Sequence, residues 1–144
     1  MKSLPSALVV DTSILISALL GRSGPLFLIG RHASLLTTDR ALVEAERRVA
    51  LGLRRPDLLI ELSVLSRQFE IAPLEGLAAS LDEAETTLRD AIPSRNGSVT
   101  DTHLLALAWK TDADIWSHDR DFAGTGVASW STLNLLRALA LVQP

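Results

Sequence analysis

Hydrophobic positions along this chain fall into two rhythms, short unbroken runs and longer stretches that repeat at helical spacing, and the two alternate from end to end. Ala7-Leu8-Val9-Val10 is a run of strand length, apolar throughout, as a strand covered on both faces must be. Ser13-Ile14-Leu15-Ile16-Ser17-Ala18-Leu19-Leu20 then reads as helix and stops at Gly21, a residue suited to closing one. Pro25 opens a second short helix reaching about His32. Ser34-Leu35-Leu36-Thr37 predicts the next strand, and Thr38 or Asp39 can cap a helix running to about Gly52. Pro56 restarts helix through about Gln68, and Phe69-Glu70-Ile71-Ala72 predicts a short strand closed by Pro73. A helix at about 80–91, a loop at Pro93-Ser94-Arg95-Asn96-Gly97 and a helix from Thr100 to Lys110 follow, the last marked by Leu104, Leu105, Ala108 and Trp109. Strands at about 114–118 and 126–129 and a helix from Ser131 to Ala140 complete the pattern.

Strands separated by helices predict βαβ units and a parallel sheet covered on both faces, an α/β fold. No repeat, low-complexity tract or linker breaks the alternation, so residues 1–144 are expected to form one domain. A chain of this length buries roughly 70% of its unfolded surface and needs no crosslink.

Within that frame four carboxylates hold telling positions. Asp11 directly follows the first strand, and Asp119 follows Asp114-Ile115-Trp116-Ser117-His118 in the same manner. Both would emerge at the carboxyl ends of strands, where open α/β sheets place their ligand crevices. Glu44 and Asp101 lie on helical segments. Oxygen ligands gathered from separate elements suit Mg²⁺ or Mn²⁺. Each acid also has a structural reading. Asp11 can cap the helix that follows it. Asp101 can complete a capping box begun at Ser98. Asp119 can be a turn residue, with Asp121 as a rival or further ligand, and Glu46 competes with Glu44 for the inward face of its helix.

Composition removes most competing chemistries. The chain has no cysteine, which excludes disulfides, thiol nucleophiles and Cys-ligated metals. Its three histidines, His32, His103 and His118, lack zinc-hydrolase spacing, and with the tryptophans they are expected to pack or lie at the surface. The hydrophobic content of 47% is broken by charges every few residues, so no membrane span is expected. The start of the chain makes a poor signal peptide, and the expected location is cytoplasmic.

A formal charge of −3 decides little, because one or two divalent cations would bring it to −1 or +1. Arg40, Arg47, Arg48, Arg54 and Arg55 fall within sixteen residues. They read equally as a solvated helix face paired with Glu44 and Glu46 or as a patch for phosphates. With no thiol and no Ser/His arrangement, the attacking group is water activated on the metal, which implies phosphodiester hydrolysis.

Val9-Val10-Asp11-Thr12-Ser13-Ile14-Leu15, Thr38-Asp39-Arg40-Ala41-Leu42-Val43-Glu44, Asp101-Thr102-His103-Leu104-Leu105-Ala106-Leu107-Ala108 and Ser117-His118-Asp119-Arg120-Asp121-Phe122 resemble, in order and spacing, the four acidic motifs of PIN-domain nucleases. The resemblance implies a three-layer α/β/α sandwich around a central parallel sheet. It implies Asp11, Asp101, Asp119 and Glu44 as catalytic metal ligands, with Glu44 chosen because the family places its acid six residues after the Thr38 position. Ser117 stands where the family has threonine or serine and would orient a carboxylate or a metal-bound water. Small members resembling this chain are VapC-type toxin ribonucleases, which implies single-stranded RNA as substrate, an antitoxin protein as partner and a homodimer. Two other classes remain open. One is a PIN-like binding module without catalysis. The other is a phosphatase of the haloacid dehalogenase type, which wants a second aspartate where this chain has Ser13.

Overall fold

The computed structural model describes residues 3–77, 81, 83, 84, 102–118 and 125–142. Strand β1 spans Ala7–Val10, with Leu8, Val9 and Val10 fully buried. Helix α1, Thr12–Ser17, continues into a wide π-type turn at Ala18–Arg22, which ends where Gly21 takes the left-handed φ of 101°. That conformation is costly for any residue with a Cβ, which is why the helix stops there. Helix α2, Gly24–Gly30, carries its proline in the first turn. Strand β2, Ser34–Thr38, leads straight into α3, Asp39–Arg47, and Thr38 caps that helix by accepting the Ala41 N–H.

Helix α4 covers Leu58–Leu65, strand β3 Glu70–Ala72, helix α5 Thr102–Thr111, strand β4 Asp114–Trp116, strand β5 Ser129–Trp130 and helix α6 Thr132–Val142. The expected long helix to Gly52 keeps α-geometry only to Arg47 and closes in a second π-type turn, Arg48–Gly52. The last strand lies three residues later than the sequence suggests. Gly126 bends the chain at a left-handed φ of 84°, and pairing begins only where Ser129 comes level with Ile115 and Trp130 with Trp116. The expected loop at 93–97 and most of the expected helix at 80–91 lie outside the described residues.

All five strands are parallel, in the order β3-β2-β1-β4-β5. The chain builds outward from β1 to β3, then returns to the other side of β1. The order therefore reverses between β1 and β4, and a crevice opens at their carboxyl ends. Two cores sandwich the sheet. Leu8, Val10, Leu35 and Trp116 pack on the side of α1, α2, α4 and α6, and Val9, Leu36 and Ile115 on the side of α5. No single helix among the described residues is long and apolar enough to cross a membrane.

Candidate active site

Three strands deliver their next side chains to one place. Val9 is level with Leu36 on β2 and with Ile115 on β4, and all three point toward α5. Side chains alternate along a strand. Asp11, Thr38 and Ser117, each two residues further on, thus stand abreast at the carboxyl ends of β1, β2 and β4 on the α5 side. Their exposures are 6%, 0% and 3%. Asp11 and Ser117 flank the point where strand order reverses.

Ser117 Oγ donates to Asp11 Oδ2 at 2.7 Å, and the Asp11 N–H donates to the Trp116 carbonyl at 3.1 Å. The Ser13 N–H reaches Asp11 Oδ1 at 3.4 Å, so Asp11 does cap α1. That cap is long and uses one lone pair of one oxygen. Both oxygens keep further acceptor capacity directed elsewhere. Among the described residues no Lys or Arg forms an ion pair with Asp11. A carboxylate this deeply buried without a countercharge is costly unless a cation meets it. The Ser13 hydroxyl beside it is also buried without a hydrogen-bond partner among the described residues.

The far wall is the first turn of α5. His103 is 2% exposed, and its Nδ1 lies 2.7 Å from Thr38 Oγ1. Its pKa is pushed down to about 4, first by burial and then by the Arg40 guanidinium, while Asp11 and Asp39 pull the other way. The ring is therefore neutral at neutral pH and adds no charge to the crevice. Sequence reasoning placed His103 with the packing and surface histidines. Its partner is 65 residues away in the chain, and the available signal was its place two residues after Asp101 inside an acidic motif.

Glu44 and Glu46 separate on α3. Glu44 is partly exposed, bonds Arg48 Nη2 at 2.8 Å, and lines a groove of about 370 Å³ with Arg40, Val43 and Arg47. Glu46 faces away into the groove between α3 and α4, beside Leu59 and Leu62. Arg40, two residues after Thr38 at the start of α3, lines the Glu44 groove and not that of Glu46. Asp101, Asp119 and Asp121 lie outside the described residues. Among the described residues no three acidic, histidine or cysteine side chains gather around one point.

Residues 9–140 match the family model of the PIN domain. The chain belongs to the PIN domain family. Solved structures share the PIN fold at low identity. VapBC2 of Rickettsia felis bound to a promoter DNA fragment has a TM-score of 0.68 at 14% identity, covering 87% of this chain and 98% of its own. FitAcB of Neisseria gonorrhoeae has 0.64 at 17%, covering 89% and 99%. The sarcin-ricin loop cleaving toxin VapC20 of Mycobacterium tuberculosis has 0.63 at 16%, covering 84% and 96%. No curated protein matches the chain. The five-stranded parallel sheet between helical layers is thus the PIN architecture that the acidic motifs imply.

Proposed function

We propose that this PIN domain is an endoribonuclease dependent on Mg²⁺ or Mn²⁺, cutting single-stranded RNA as the toxin of a toxin–antitoxin pair. The observation that carries the reading is Asp11, a buried carboxylate at the strand-order reversal, oriented by Ser117 and without a basic partner among the described residues. Family membership and the toxin–antitoxin complexes among the structural neighbours support it. The donor chemistry fits a hard divalent ion, since the Asp11 carboxylate and the Ser117 and Thr38 hydroxyls beside it offer oxygen and the chain has no thiol.

Asp11, Asp101 and Asp119 would hold the ion, Glu44 would complete the acidic ring, and Asp121 would bind it or its water. A divalent ion there supplies Lewis acidity to the scissile phosphate and to the attacking water. Ser117 fixes the Asp11 carboxylate, so the ligand is oriented before the ion arrives. The experiment is cleavage of a labelled single-stranded RNA with Mn²⁺ and with EDTA, alongside a phosphomonoester. Cleavage only with metal, and none of the phosphomonoester, is expected; RNA cleavage persisting in EDTA would sink the reading.

The arginine cluster divides between its two readings. Arg48 is engaged by Glu44 and Arg55 by Asp57, whereas Arg40 and Arg47 have no carboxylate partner among the described residues. Those two would take the RNA phosphates leading into the crevice. In Asp11→Asn, used to bind without cutting, Arg40→Ala combined with Arg47→Ala should weaken RNA binding and lower the salt slope by about 1 per arginine. Arg55→Gln should leave the slope alone. An unchanged slope in the double variant would return both arginines to the solvated-face reading.

An antitoxin would have an apolar face to bind. Phe27, Ile60 and Val64 are exposed around a cavity of about 250 Å³ between α2 and α4. Burial of such residues is the usual use of an exposed apolar patch. Leu51 and Val43, exposed around the groove of about 670 Å³ on the other side of α4, offer a second face for a homodimer.

A further inference from the structure

His103 is held in a way that packing does not require. The residues after it on α5, Leu104, Leu105, Ala106, Leu107 and Ala108, are all apolar and buried. An apolar residue would fill the same space, whereas the imidazole leaves Nε2 buried with no hydrogen-bond partner among the described residues. An orphaned buried polar atom costs free energy, so its retention calls for a use of the other nitrogen. That nitrogen bonds Thr38 Oγ1, and Thr38 is at once the last residue of β2, the cap of α3 and the neighbour of Asp11 across the sheet. The Thr38 hydroxyl already accepts the Ala41 N–H at 3.0 Å, which leaves its own proton for Nδ1. One hydrogen bond therefore ties the start of α5 to the start of α3 over the end of β2. The charged groups that act on the ring come from two elements, Asp11 from the end of β1 and Asp39 and Arg40 from the start of α3.

We propose that His103 is a positioning residue of the metal centre, locking the helix that Asp101 immediately precedes against Asp11 and against the helix that carries Glu44 through its Nδ1 bond to Thr38. This rests on the metal-dependent reading above and adds to it a residue that touches neither metal nor substrate. The test is calorimetric titration of Mn²⁺ into the full chain. His103→Asn places an amide where Nδ1 lies and should keep the affinity within about 3-fold of wild type, while His103→Gln, which reaches the Nε2 position instead, should weaken it about 10-fold or more. Thr38→Val, which also removes the cap of α3, should weaken Mn²⁺ binding at least as much, and His103→Gln should add little in that background because their shared bond is already gone. The Asn and Gln variants carry the same amide, so their difference reports the bond rather than the loss of a ring. Equal affinities in these two variants, whether both strong or both weak, would overturn the proposal and leave the metal reading intact. A wild type that takes up no Mn²⁺, or Asp11→Asn binding it undiminished, would overturn both.

Discussion

Asp11→Asn should lower metal-dependent RNA cleavage by at least ~10², while leaving the protein folded, because it removes a charged ligand and almost nothing else. Asparagine caps helices as well as aspartate does, so the Ser13 N–H keeps its acceptor at the start of α1. The Ser117 hydroxyl now donates to Oδ2 and can rotate to accept from an amide instead. The melting temperature in EDTA should therefore hold or rise, the rise coming from relief of repulsion if the other acids crowd the same crevice. Added Mg²⁺ should stabilise wild type more than the variant. Asp101→Asn and Asp119→Asn should behave alike, and combining them should add little, since ligands of one ion act as a unit. The measurement is turnover of a labelled RNA at fixed Mg²⁺ beside a thermal melt. Full activity in Asp11→Asn would remove Asp11 from the chemistry and leave only its cap.

What the sequence discloses of this fold is whatever local chemistry decides. Ala7–Val10 is a strand because four apolar residues in a row can be buried only between two layers, and Asp11 ends it as the cap of α1. Strand β5 is misplaced by three residues for a reason that is not local. Val127 and Ala128 look strand-like, but the pairing partner is Trp116, and the indole N–H groups of Trp130 and Trp116 bond Asp114 and Thr132, so register is set by side chains sixteen residues away. The same limit hides His103, whose bonding partner Thr38 stands 65 residues earlier in the chain, at the end of β2. The arginines between 40 and 55 show a third kind of limit. Their spacing is compatible with either reading, and only the placement of Glu44 and Asp57 separates the engaged from the unengaged. Asp11, by contrast, is legible as a candidate because it directly follows a short run that must be a strand, whereas Ser117 falls inside the expected strand at about 114–118 and is marked only by the resemblance of its motif; the parallel register makes the two neighbours.

Glu44→Gln should cut the cleavage rate by at least ~10-fold, whereas Glu46→Gln should stay within a few-fold of wild type. Two residues apart on a helix, the side chains point ~200° from one another, so only one can serve a single crevice. Glu46 opens onto the groove facing α4, whose walls include Leu59 and Leu62, and Glu44 shares its groove with Arg40, which follows Thr38 by two residues at the end of β2. The ion pair of Glu44 with Arg48 does not oppose this role. It spans one helical turn at the surface, and exposed pairs of that kind contribute only ~0.5 kcal/mol, far less than a carboxylate gains at a divalent ion. Arg48→Ala should accordingly leave cleavage unchanged or slightly faster, because it frees the carboxylate. Steady-state rates of the three variants at saturating Mg²⁺, each checked for an unaltered melt, decide the matter. Loss of activity in Glu46→Gln alone would move the second acidic position to Glu46 and require α3 to turn on its axis in the working enzyme. Two silent glutamine variants would mean that Asp11 and the aspartates of the later motifs hold the ion without help from α3.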